Sequence, residues 1–371
     1  MIKFIDLETQ QKRIRKPLEQ RLKKILDHGQ YIMGPEVFEL EEQLAEYCGV
    51  KHAISCSSGT DALLIPLMAW GIGPGDAVFT TPFTYHATAE VVSILGATPV
   101  FVDVYESTFN IDCEKLEIEI NRVIVEGKLK PKAIIPVDLF GLPARYRLID
   151  KIAKKYNLKV LEDAAQSFGG SIGEKKVGSF GDVAATSFYP AKPLGCYGDG
   201  GAIFTNNDDL AEKCKAIRIH GTKLDKYNSE VVGLNGRLDS IQAAVILEKL
   251  TIFDDEIERR NIVDANYRQY LNNAQYHPES YHSAHAIFSI VLSSNHKRNE
   301  LVERLKSNNI PSVIYYHYPI HLMKAFSYLG YDRGDLPISE SLSGSIVSLP
   351  MHPYLSKEDV QFIIGSIQKT A

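Results

Sequence analysis

Val160-Leu161-Glu162-Asp163-Ala164-Ala165-Gln166-Ser167 is an apolar run that stops abruptly in carboxylates. A short apolar run bounded by polar punctuation reads as a strand covered on both faces. The same rhythm extends on either side, from about residue 49 to about residue 205, where such runs alternate with helical stretches and with Gly, Pro or Asp. Candidate strands are Ala53–Cys56, Ala77–Thr80, Thr98–Val102, Ala133–Val137, Lys159–Glu162, Val183–Ser187 and Gly201–Thr205. This alternation predicts an α/β fold with a mostly parallel central sheet. Open sheets of that kind meet their ligands at strand ends, and Asp163 stands at one.

Further out, Leu18–Asp27 reads as a helix, and Gly34-Pro35 followed by the acidic run Glu36–Glu46 opens another. Arg237–Phe253 carries Leu238, Ile241, Ala244, Val245 and Leu250 on one stripe, which predicts a long amphipathic helix bridging two lobes, followed by more helix with charges on its exposed side. Ile287–Leu292 reads as a strand and Lys297–Asn308 as a helix. A chain of 371 residues exceeds the roughly 100 to 200 of one domain, so two units are expected: a large one over 1–250 and a smaller C-terminal α/β domain over 251–371. A net charge of -5 argues against a nucleic-acid footprint. No stretch approaches the roughly 20 apolar residues of a membrane helix, and the first residues lack an apolar signal core, so a cytoplasmic protein is expected. Five cysteines, at 48, 56, 113, 196 and 214, contain no C-x-x-C pair and argue against disulfides or a zinc framework. Cys196 reads as a small packing residue. His317 and His321 lie four apart, but Pro319 between them and the lack of a recognisable third ligand argue against a metal.

The chemistry is read from stretches far apart in the chain. A carboxylate at a strand end suits a pyridine nitrogen that must keep its proton, and Asp163 fits that role, with Gln166 placed to meet a ring hydroxyl. A helix-capping Asp is the plainer reading of such a residue alone. Downstream, Ser187-Phe188-Tyr189-Pro190-Ala191-Lys192-Pro193-Leu194-Gly195 runs a strand into a turn that presents one lysine. Lysines at turns are usually solvated; one facing an aldehyde, with its pKa lowered, forms a Schiff base and shuttles protons. Ser57-Ser58-Gly59-Thr60-Asp61 follows a strand and opens a helix, which suits a phosphate at Gly59 and Thr60 as well as a plain N-cap. Ser187 offers a second hydroxyl, and Tyr85 an aromatic face for stacking; Phe83 is left to the core and His86 to the loop. Read together, these groups would cup pyridoxal 5′-phosphate (PLP), with pyridoxamine 5′-phosphate (PMP) as its alternate form.

Ser58-Gly59-Thr60-Asp61-Ala62-Leu63, Glu162-Asp163-Ala164-Ala165-Gln166 and Ser187-Phe188-Tyr189-Pro190-Ala191-Lys192 resemble the motifs of the DegT/DnrJ family of PLP-dependent sugar aminotransferases, in the same order and over nearly the whole chain. The resemblance implies the aspartate aminotransferase-like fold type I and a homodimer with shared active sites. It assigns Lys192 to the Schiff base, Asp163 to the pyridinium, Gln166 to the ring hydroxyl and Tyr85 to stacking. Gly59, Thr60 and Ser187 go to the phosphate, as does Asn235 from the other subunit. Phe83–Glu90, Pro193–Gly201 and Leu349-Pro350-Met351-His352-Pro353-Tyr354 most resemble the UDP-2-acetamido-2-deoxy-3-oxo-glucuronate aminotransferases. That likeness implies Arg237, His317 and Tyr318, and also Arg218 with His220, near the sugar or the amino donor, L-glutamate. The expected partners are therefore a nucleotide-linked keto sugar and L-glutamate, in the making of O-antigen or another surface polysaccharide. A dTDP-linked 3-keto or 4-keto deoxysugar is the alternative acceptor. A PLP-dependent dehydratase is disfavoured by the intact Lys192 and the lack of a cysteine cluster. A non-catalytic PLP-binding regulator is disfavoured by Lys192, Asp163 and Gln166 together. Gly195–Gly201 precedes a strand instead of joining strand to helix, which sets aside a nicotinamide cofactor.

Overall fold

A computed structural model describes residues 2–222 and 227–368 of the chain. Seven strands form the main sheet: β1 (His52–Cys56), β2 (Asp76–Thr80), β3 (Thr98–Phe101), β4 (Lys130–Ile135), β5 (Lys159–Asp163), β6 (Val183–Ser187) and β7 (Gly201–Thr205). Their order is β1-β7-β6-β5-β4-β2-β3. From β6 through β5, β4 and β2 to β3 the pairing is parallel, whereas β7 runs antiparallel to both of its neighbours. The fold is the α/β, fold type I architecture that the alternation and the family likeness implied. Two-residue periodicity is visible in the packing: Val160 enters one apolar layer and Leu161 the opposite one, as do Ala184 and Ala185. A sheet buried on both sides selects the unbroken apolar runs read from the sequence.

Helices complete the layers. α1 (Leu7–His28), α2 (Pro35–Cys48) and α8 (Ser240–Leu250) cover β1, β6 and β7 with Ile14, Leu40, Leu44 and Val245. On the opposite face, α3 (Gly59–Ala69) and α7 (Asp208–Arg218) pack Ile65, Leu67, Ala211 and Ile217 against Ile54 and Leu161. α4 (Ala87–Ile94) follows β2, and α5 (Cys113–Glu126) and α6 (Tyr146–Tyr156) close the layer over β4 and Val160.

Two helices differ from expectation. α1 begins eleven residues before Leu18, because Asp6 accepts from the Thr9 N–H at 3.1 Å and starts the helix through a polar segment that carries little periodicity. The long helix expected over Arg237–Phe253 is instead α8 followed by α9 (Phe253–Arg268), broken at Thr251 and Ile252. Asp254, Asp255 and Glu256 in the first turn of α9 complement the positive end of a new helix, which favours the break.

Toward the C-terminus, β8 (Phe288–Val291) pairs antiparallel with β9 (Ile346–Leu349). α10 (Asn295–Ser307), α11 (Pro337–Ser345) and α12 (Lys357–Gln368) accompany them. Tyr267, Phe288, Ile290, Leu305, Leu349 and Ile363 form a separate core there. All five cysteines are buried and free. Among the described residues, no helix is long and apolar enough to cross a membrane.

Candidate active site

The parallel strands bring their carboxyl ends to one edge of the sheet, where a cavity of about 450 Å³ opens. Its walls include Ser58, Gly59, Thr60, Tyr85, Asp163, Gln166, Ser187 and Lys192, so the three stretches of distant sequence meet around one space.

Asp163 ends β5 and is buried. Its Oδ2 accepts from Thr88 Oγ1 at 2.8 Å and its Oδ1 from the Ala165 N–H at 3.2 Å. Burial raises its carboxyl pKa, while these hydrogen bonds and the charge of Lys192 oppose the rise. A buried carboxylate so placed gains most from a cationic partner, such as a protonated ring nitrogen. Lys192 stands in the turn after β6, its backbone N–H donating to the Tyr189 carbonyl at 2.9 Å. Burial lowers its pKa against the pull of Asp163, which favours the free amine that a nucleophile requires.

Gln166 is oriented at both ends: Oε1 accepts from the Phe140 N–H at 2.9 Å, and Nε2 donates to the Tyr316 hydroxyl at 3.0 Å. Ser58 caps α3, its Oγ accepting from the Asp61 N–H at 3.1 Å, which leaves the opening N–H groups of the helix at the cavity. Gly59 is required there because a Cβ would lie 2.5 Å from the Cβ of Ser187. Tyr85 lines the cavity and is half-exposed, with its ring 4.1 Å from that of His86. Cys196 lies buried behind the lysine turn, its thiol donating to the Phe188 carbonyl at 3.0 Å and pushed up by burial to about 11.

Several expected residues are not brought to this cavity. Asn235, His317 and Tyr318 are exposed outside its walls, and Arg237 is half-buried outside them. Arg218 is a correction: its guanidinium is buried, pairing with Glu41 and donating to the Ser55 carbonyl at 2.7 Å. It supports the back of the cradle, because its own carbonyl accepts from Gly236 at 2.9 Å and the Gly236 carbonyl accepts from Ser57 at 3.0 Å. His220 lies in that same loop, with φ at 64°. His321 is buried, its Nε2 3.2 Å from Glu340 Oε1. Asp264, His277 and His285 converge elsewhere, but Arg268 Nε donates to Asp264 at 2.6 Å and places a cation in the cluster already.

Sequence reasoning missed Thr88, Tyr315, Tyr316, Phe4 and Ile5, all in the cavity walls. Thr88 stands in Phe83–Glu90, and Tyr315 and Tyr316 directly precede His317 and Tyr318; Phe4 and Ile5 arrive from the N-terminal end of the chain.

The donor set fits PLP: one acid for the ring nitrogen, one amide for the ring hydroxyl, one amine for the aldehyde and one helix N-terminus for the phosphate. The contact that only glycine permits at position 59 keeps that cradle close to β6.

Relatives support the same picture. The chain is 44% identical over 371 residues, covering 99% of each sequence, to the UDP-2-acetamido-2-deoxy-3-oxo-D-glucuronate aminotransferase of Pseudomonas aeruginosa. A crystal structure of a DegT DnrJ EryC1 StrS aminotransferase from Brucella abortus superposes with a TM-score of 0.96 at 50% identity, covering 99% of both chains. NtdA of Bacillus subtilis, solved with its cofactor PMP bound, matches with a TM-score of 0.85 at 27% identity, covering 99% of this chain and 83% of that one. The model of the DegT/DnrJ/EryC1/StrS aminotransferase family matches residues 12–368, and with the fold and cavity above it places this chain in that family.

Proposed function

We propose that the protein is a PLP-dependent aminotransferase that passes the amino group of L-glutamate to a nucleotide-linked keto sugar. Our preferred acceptor is the C3 ketone of UDP-2-acetamido-2-deoxy-3-oxo-glucuronate, on a route to O-antigen or another surface polysaccharide in the cytoplasm. The observation that carries the reading is the meeting of Lys192, Asp163 and the Gly59 cradle in one cavity. The Pseudomonas enzyme named above supports the choice of acceptor.

When bound, PLP supplies an electron sink for the carbon that loses its proton. Asp163 keeps the proton on the ring nitrogen, and Gln166 holds the ring hydroxyl. Gly59, Thr60 and Ser187 hold the phosphate, and Tyr85 covers the ring face. Lys192 takes the proton from the α-carbon of glutamate and, in the second half of the cycle, returns one to the sugar carbon that bore the ketone.

Among the described residues, Lys192 is the one Lys or Arg in the cavity wall. A phosphate, the carboxylates of glutamate and a nucleotide diphosphate need more positive charge than that. Asn235, Arg237, His317 and Tyr318 lie outside the wall of their own chain, and we assign them to the site of a partner subunit in a homodimer. Residues 1–250 then form the cofactor-binding domain and 251–371 the smaller domain.

The test supplies glutamate and a panel of UDP- and dTDP-linked 3-keto and 4-keto sugars, with products identified by mass and NMR. Amination of the UDP-linked 3-keto uronate is the expected result. Amination of dTDP-linked deoxysugars alone would move the acceptor to the alternative, and no amination of any of them would remove the reading.

A further inference from the structure

Before α1 begins, residues 2–6 run from the C-terminal core to the cavity wall, which takes in Phe4 and Ile5. One end is anchored by Ile2, which packs on that core. The other is anchored by Asp6 at the start of α1, which accepts from Thr9 Oγ1 at 2.6 Å and from Lys3 Nζ at 2.8 Å. Between the anchors, the Phe4 carbonyl accepts from the Met351 N–H at 3.3 Å. Met351 belongs to Leu349-Pro350-Met351-His352-Pro353-Tyr354, a stretch with no part in the cofactor site described above. That stretch is itself held firmly: Tyr267 donates to the Pro350 carbonyl at 3.0 Å, and Arg260 Nη1 to the Met351 carbonyl at 3.3 Å. The motif is thus a seat for an N-terminal strap.

Phe4 and Ile5, at the centre of the strap, enter the cavity wall, and the Phe4 ring meets Tyr315 edge-on at 6.3 Å. Ala286 and Ile287 extend the same wall, which therefore presents carbon where the strand ends present charge. Every polar cofactor contact assigned above comes from another element. Glutamate, with a carboxylate at each end, gains little from a carbon wall. A hexose ring carries C–H faces that bury well against aromatic and aliphatic side chains.

We propose that Phe4 and Ile5 form the acceptor-sugar subsite, in which the N-terminal strap packs against the C–H face of the sugar of a nucleotide sugar. This subsite rests on the function proposed above. It also gives the 349–354 stretch a purpose, since it sets how deep the strap sits.

The test uses the full-length holoenzyme and the variants Phe4→Ala, Phe4→Leu and Ile5→Ala. Calorimetric titration with UDP-glucose, UDP-N-acetylglucosamine and free UDP reads binding without turnover. Phe4→Ala is expected to weaken both UDP-sugars at least fivefold more than it weakens UDP, with Phe4→Leu recovering part of the loss. In single-turnover measurements, the sugar half-reaction should slow at least fivefold more than the glutamate half-reaction. Equal loss for UDP and UDP-sugars, equal slowing of both half-reactions, or sugar binding unchanged in both alanine variants would each overturn the subsite. In the last case wild-type binding to UDP-sugars leaves the proposed function standing. A wild-type enzyme that binds neither UDP-sugar would overturn the subsite as a site for a UDP-linked sugar, while the amination panel above decides the function separately.

Discussion

Lys192 and Asp163 show how burial tunes single groups in opposite senses within one cavity, the amine toward its free form and the carboxyl upward. Lys192→Ala should lose the visible absorbance of the bound cofactor and turnover together; an active variant without that absorbance would remove the lysine from the chemistry. Gly59 makes a steric argument at the same scale. A methyl group there meets Ser187, so Gly59→Ala should weaken cofactor binding tenfold or more, measured by fluorescence titration of the apoenzyme. Lys192, Asp163 and Gly59 were legible because each stands in a short stretch of uncommon composition at a strand end. Thr88 and Tyr316 were not: a threonine in a helix and a tyrosine in an irregular segment become site residues only through contacts with Asp163 and Gln166.

At the scale of elements, the turn carrying Lys192 is braced by a helix more than fifty residues downstream. Lys249 on α8 is buried, donates to the Gly195 carbonyl and sits 4.5 Å from the centre of the Tyr197 ring. Burial pushes its pKa down to about 8. Lys249→Met strands the Gly195 carbonyl, which should cost about 1–3 kcal/mol. The same change should lower turnover severalfold, read by urea unfolding alongside initial rates. Ser58→Ala removes the cap of α3 and should cost about 1 kcal/mol in the same unfolding assay. Strand positions were read within a few residues, since burial on both faces leaves little freedom in their composition. The split between α8 and α9 was not, because the apolar stripe continues to Phe253 while the acidic first turn of α9 competes with it.

For the whole molecule, the seat of the strap carries a pH dependence. His352 is buried near Arg260, and burial with that charge holds its pKa down to about 4, below the ordinary 6.5. Between those values the unfolded chain binds a proton that the folded chain refuses, so stability falls as pH drops from 6.5 toward 4 and then levels off for this group. The loss is about 3 kcal/mol at most. His352→Gln should flatten that part of the stability curve, measured by thermal unfolding from pH 7 to pH 4. An unchanged slope would show that His352 does not titrate in this window. If the homodimer completes each site, specific activity should fall on dilution in step with dissociation measured by sedimentation, and an Arg237→Ala subunit should impair the cavity of its partner.

Sequence alone determined the layered α/β architecture and the three stretches that carry the chemistry, because a doubly covered sheet demands apolar runs and strand ends demand unusual residues. The tertiary structure alone decided which other residues join them. Arg218 turned inward to Glu41 and Ser55, His321 was buried on Glu340, and Phe4 and Ile5 came across from the far end of the chain. Such contacts depend on how separate elements are set against one another in space, and a local pattern of residues holds no record of a neighbour three hundred positions away.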